Sequence, residues 1–243
     1  PANLTATINK ANLQVVGLTA NDKTYDTNTT ATVSGSAIVN ALSGDVVSLQ
    51  GSASASFATK TATTGKAVTV TGYSLASGGD NDNYTLVQPV GLTATINKAD
   101  LAVTGVSTTN RTYDGTVTVA LSGGSVSALT GDTVSLVTSG ATGSMADKNV
   151  GTNKAVTATG YTLSGTDAAN YNVVQPVAYD ATNSPSGLKV NISAANLVIS
   201  TSDVTKTYDA TTSANGVATA VSNTQVFGSD NLSGGSFAFA DKN

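Results

Sequence analysis

Three times in this chain a tyrosine and an aspartate follow a cation: "KTYDT" at Lys23 to Thr27, "RTYDG" at Arg111 to Gly115 and "KTYDA" at Lys206 to Ala210. A phenol beside a carboxylate could serve general acid–base chemistry, with Asp26, Asp114 or Asp209 as base and Tyr25, Tyr113 or Tyr208 as proton donor. Such chemistry needs a second group tuned against the first, and the sequence holds no His, Cys or Glu. A Ser–Lys pair stays formally open because serines surround Lys60 and Lys148, although in so Ser-rich a chain that proximity arises by chance. The residue types therefore read as structural anchors and not as an enzyme's site. Each tyrosine buries its ring with the hydroxyl at the rim, and each aspartate accepts backbone N–H groups to begin a turn that Gly115 continues. Thr27 and Ala210 stand where Gly115 does, so a backbone conformation reserved for glycine is not expected there.

Two other groupings could carry chemistry. "GGDNDNY" (Gly78 to Tyr84) places Asp80 and Asp82 at alternate positions, a weak calcium candidate. Its counterpart "GTDAANY" keeps only Asp167, which favours an Asn/Asp-rich turn with no metal and no cofactor. Lys60, Lys148 and Lys242 recur at one place and could form isopeptide crosslinks if a buried carboxyl lay beside each, with Asp26, Asp114 and Asp209 as candidates. A solvated lysine or an ordinary ion pair is the plainer reading. Arg111, the counterpart of Lys23 and Lys206, cannot form such a bond.

The elements that hold these residues repeat. "LTATINKANL" (Leu4 to Leu13) returns as "LTATINKADL" (Leu92 to Leu101), and "LKVNISAANL" (Leu188 to Leu197) is a looser third copy. "GYSLASGGDNDNYTLVQP" answers to "GYTLSGTDAANYNVVQP", and "MADKN" to "FADKN". A period near 90 residues is the size of a small domain and too long for one coil of a solenoid. The chain divides into the closing strand of a preceding repeat (1–9), repeat 1 (10–97), repeat 2 (98–193, with an inserted loop at 177–187) and an incomplete repeat 3 (194–243). Within each, "LTATI", "TVTVAL" and "KAVTATGYTL" alternate apolar and polar residues, the signature of half-buried strands. About seven such strands per repeat predict an all-β chain of tandem Ig-like antiparallel β-sandwiches, joined by junctions as short as "INKADL" into an elongated rod.

Composition agrees. Of the 243 residues 40% are hydrophobic, enough for packed cores, and only 11% are charged, with a net charge of −4. Without cysteine there are no disulfides or thiolate metal sites. No basic cluster is present for nucleic acid, and no apolar run approaches the roughly 20 residues that span a bilayer, so membrane insertion is not expected. The start at Pro1, without a signal peptide, reads as a processed chain or a window on a longer one.

"TYDG", "SGTDAANYNVVQP" and "GLTATI" resemble the YDG-type and related bacterial Ig-like repeats found in tandem in large secreted adhesins, such as the haemagglutinin-like exoproteins of two-partner secretion. The resemblance covers essentially the whole chain, with Thr27 and Ala210 departing from the name-giving glycine. It implies a structural stalk or fibre segment at the bacterial cell surface or outside it, in cell adhesion or biofilm. The expected partners are neighbouring repeats and an extracellular polymer or host surface. Two alternatives stay open: a module that binds a glycan or host protein, and a fibre subunit that polymerises when one chain's opening strand completes another's sandwich.

Overall fold

The computed structural model describes residues 5–216, 218–220, 226–233 and 235–242. It is all-β, with two short 3-10 turns at Gly79–Asn83 and Ala168–Asn170. The strands are not wholly antiparallel. Ala11–Ala20 runs parallel to Tyr84–Val87, Lys23–Thr24 to Thr93–Asn97, Ala99–Ala102 to Tyr171–Val174, and Arg111–Thr112 to Lys189–Ser193. Partners so distant in sequence need no hairpin between them, so parallel pairing meets no topological obstacle.

By its contacts the chain forms two compact units. The first runs to Ala102 and also takes in Val126–Val137 and Thr162–Val174. Its largest sheet has the order Lys23–Thr24, Thr93–Asn97, Thr63–Leu75, Leu49–Phe57, Thr30–Ala31, and Ala11–Ala20 lies in another, between Val33–Val39 and Tyr84–Val87. One core collects Tyr25, Ala31, Phe57, Val68, Val70, Ala94 and Ile96 together with Leu101 and Tyr171 from the second repeat. The unit therefore joins most of one sequence repeat to one end of the next.

Period-two burial runs along Thr63–Leu75, where Val68 and Val70 point inward. Glycines shift that phase. In Ala11–Ala20, Leu13 and Val15 are buried, but beyond Gly17 it is Leu18 and Ala20 that pack on the core. Gly17 and Gly35 both have positive φ, 88° and 96°, and a Cβ on either would lie 2.3 Å or less from a carbonyl oxygen of the facing strand. Gly51 and Gly72 repeat the device at another register shift. These are bulges that turn a strand's apolar side over, and a side chain does not fit there.

The second unit holds Val103–Ser125, Thr138–Tyr161 and the chain from Gln175 onward. Lys189–Ser193 sits between Arg111–Thr112 and Gly151–Ala155, and Thr142–Ser144 between Thr118–Val119 and Thr157–Thr159. Its core repeats the first with volumes exchanged. Val70 and Ala94 become Ala158 and Val190, and Ala31 and Phe57 become Val119 and Met145, all buried. Paired changes that conserve total volume let two different sequences fill one framework.

Candidate functional site

The turn at Asp132 brings chemistry-bearing side chains together. Asp132 N–H donates to the Leu129 carbonyl at 3.1 Å, which tightens "LTGD" and turns the carboxylate toward Tyr25, held by the neighbouring repeat. Tyr25 OH donates to Asp132 Oδ2 at 2.7 Å, Tyr171 OH donates to the same oxygen at 2.8 Å, and Lys60 Nζ donates to Oδ1 at 2.8 Å. The Tyr25 and Tyr171 rings meet edge to face, with centroids 5.5 Å apart. Asp167 stands 3.8 Å from the Lys60 ammonium and accepts Thr133 N–H at 2.9 Å. Buried Asn170 accepts Ala62 N–H at 2.9 Å.

The Asp132 side chain is 0% exposed, whereas that of Lys60 is 37% exposed. Burial alone would push the carboxyl up, but hydrogen bonds from Lys60, Tyr25 and Tyr171 outweigh it and hold Asp132 below its ordinary range. The bond to Asp132 raises the Lys60 ammonium in turn. Tyr171 is pushed up to about 12, by burial first and then by Asp132, and Tyr25 rises for the same two reasons. Every group is thus held in the protonation state it has at neutral pH. Such an arrangement ties one strand segment to another and has no member poised to exchange a proton.

A second copy lies at Asp230. Tyr113 OH and Lys148 Nζ both donate to that carboxylate, Asp230 N–H donates to the Phe227 carbonyl at 3.0 Å, and Tyr113 stacks edge to face on Phe227. Two tyrosine–lysine pairs, 35 residues apart in each repeat, thus grip an aspartate belonging to the repeat that follows. The "TYDG" of one such pair lies inside the second of two segments, 9–91 and 97–183, that match the family model of the YDG domain. The chain belongs to the YDG-domain family. Comparison with curated proteins and with solved structures finds no match.

In each copy of the motif the aspartate does local work. Lys23 pairs with Asp26 at 2.6 Å, Lys206 with Asp209 at 2.8 Å, and Arg111 with Asp114. Asp26 accepts Asn28 N–H, Asp114 accepts Thr116 N–H and Asp209 accepts Thr211 N–H. The bond from Lys206 brings Asp209 down to about 2. The residue after the aspartate adopts a left-handed conformation in all three copies: φ is 70° at Thr27, 75° at Gly115 and 58° at Ala210. Thr27 and Ala210 thus hold a left-handed backbone that favours glycine without being reserved for it. The side-chain bonds closing the turn impose that conformation, strained for a β-branched residue, on whatever residue stands there. Gly115 has a further reason to be glycine, because a Cβ there would lie 2.4 Å from Phe227 Cβ.

The other sequence candidates fall as follows. Tyr25 is buried, whereas Tyr208 is 66% exposed and lies beside Lys242 in a shallow cleft. The carboxyls facing Lys60 and Lys148 are Asp132 and Asp230, while Asp26, Asp114 and Asp209 pair with their own motif cations. Asp80 accepts Val46 N–H at 2.9 Å and Asp82 accepts Gly78 N–H at 3.3 Å, so both close the YDG domain's own loop. Among the described residues no group of three or more such side chains could hold a metal ion, and no helix is long and apolar enough to cross a membrane. Sequence reasoning missed Asp132 and Asp230. Their signal was available in the recurrence of "SGD", "TGD" and "GSD", one per repeat.

Proposed function

We propose that this chain is a structural stalk or fibre segment of a bacterial extracellular adhesin. In this reading each YDG domain is an Ig-like β-sandwich and the tandem forms an elongated rod that holds adhesive or biofilm material away from the cell. Its working partners are the neighbouring YDG domains, and it carries out no catalysis. One observation supports the reading above the others: the tyrosine–lysine pair of one domain grips a buried aspartate of the next, inside a shared core. A junction tied in this way resists bending and local opening better than a free linker does.

Two measurements test it. Small-angle scattering of the 243-residue chain is expected to give an extended profile, and a compact one would contradict the rod. Antibodies against the YDG domains should label intact cells that produce the parent protein. Labelling only after permeabilisation would contradict an extracellular role, and saturable binding to one sugar on a glycan array would favour the ligand-binding alternative.

A further inference from the structure

The segment "LTATIN" occurs twice with opposite fates. At Thr93–Asn97 it is a strand between Lys23–Thr24 and Thr63–Leu75, with Ile96 only 1% exposed. At residues 5–9 the same sequence forms no strand, and Ile8, the counterpart of Ile96, is 98% exposed. Beside it lies a third copy of the aspartate turn. Asp45 N–H donates to the Leu42 carbonyl at 3.1 Å, Tyr84 OH donates to Asp45 Oδ2 at 2.7 Å, Leu42 N–H donates to Tyr84 OH at 3.0 Å, and Val46 N–H donates to Asp80. Each bond has its match around Asp132, where Asp132 N–H reaches Leu129, Tyr171 OH reaches Asp132, Leu129 N–H reaches Tyr171 OH and Thr133 N–H reaches Asp167. At Asp132 a phenol and an ammonium from the preceding YDG domain complete the set. At Asp45 an open cleft of about 480 Å³ runs between Ile8, Leu42 and Tyr84, and Leu42 and Val46 are 66% and 76% exposed.

We infer that this surface is a docking site for the tyrosine–lysine end of a further YDG domain carried on the N-terminal side of the same polypeptide. Three features select that occupant. The turn is already set in the geometry that accepts a phenol and an ammonium at Asp132. Ile8 is bare here, whereas its counterpart Ile96 is covered by the core in which Leu101 and Tyr171 of the following repeat take part. The "LTATI" segment covalently joined to the socket matches Thr93–Asn97, which lies between two strands of the preceding repeat, so a domain that takes up this segment in the same way is delivered to the socket. Asp45 would then take up the Lys and Tyr bonds that Asp132 receives, and Ile8 would become as buried as Ile96. The inference rests on the tandem reading proposed above, but the junction at Asp132 can be measured separately and serves as an internal standard.

The test extends the chain by one repeat. A copy of residues 1–88 is fused ahead of Pro1, so that the added domain enters through the connection that already joins Gln88 to Pro89. Amide hydrogen exchange is followed in residues 41–48 and, as the standard, in residues 128–135. The expected result is at least about tenfold slower exchange in 41–48 than in the unextended chain, bringing it near the standard, with the gain lost when Tyr25 and Lys60 of the added copy alone become Phe and Met. Unchanged exchange in 41–48 while 128–135 stays protected would overturn the inference and leave the internal junction intact. Protection of 41–48 in the unextended chain that rises with protein concentration would also overturn it, by assigning the surface to a second copy.

Discussion

Tyr25 and Tyr171, from consecutive repeats, donate their hydroxyls to the same oxygen of Asp132 and stack edge to face across it. The carboxylate is fully covered, so it stays ionised only because Lys60 and both phenols are present. Truncating Asp132 to Ala leaves two buried hydroxyls and an ammonium without their acceptor. The expected loss is about 1–3 kcal/mol of unfolding free energy by urea titration, the range for leaving buried polar groups without their hydrogen-bond partner.

The same bonds give a pH profile with two edges. Asp132 titrates below its ordinary 3.8 when folded, so its contribution is present above that value and is lost as pH falls through the lower folded one. Tyr171 titrates near 12 when folded against an ordinary 10.0, so its contribution is complete below pH 10.0 and is lost as pH rises toward 12. Thermal melts are expected to show a plateau between these limits and a decline on both sides.

Thr27 holds a left-handed backbone with φ 70° that glycine occupies at position 115. Thr27→Gly should stabilise the first unit by about 0.5–1 kcal/mol, the left-handed penalty less the entropy glycine loses on folding. Gly115→Thr should cost about 2 kcal/mol or more, because strain and the approach to Phe227 add. Chemical denaturation of both variants checks the opposite signs.

The intact mass should equal the sequence mass. An amide between Lys60 and Asp132 requires a neutral amine attacking a neutral acid, and the structure holds both groups charged. A mass lower by one water per junction would contradict this.

The repeat, its strands and their inward faces were legible, since "LTATI" and "KAVTATGY" carry period-two burial in plain form. So were the recurrent lysines and tyrosines. Their shared partner was not, because Asp132 lies 107 residues from Tyr25 and 72 from Lys60, and "TGD" reads locally as an ordinary turn. Asp26 beside Tyr25 drew attention instead, although its proximity in sequence reflects a local ion pair with Lys23. Parallel pairing of Lys23–Thr24 with Thr93–Asn97 was likewise hidden, because alternation shows which face is buried and not which strand lies alongside.

The coupling of consecutive YDG domains is tested most directly by a double-mutant cycle between Tyr25→Phe and Asp132→Ala, read by equilibrium unfolding. The expected coupling energy is about 1–2 kcal/mol, as for residues sharing a buried hydrogen-bond network. Single-mutant effects that add to within about 0.5 kcal/mol would contradict the account.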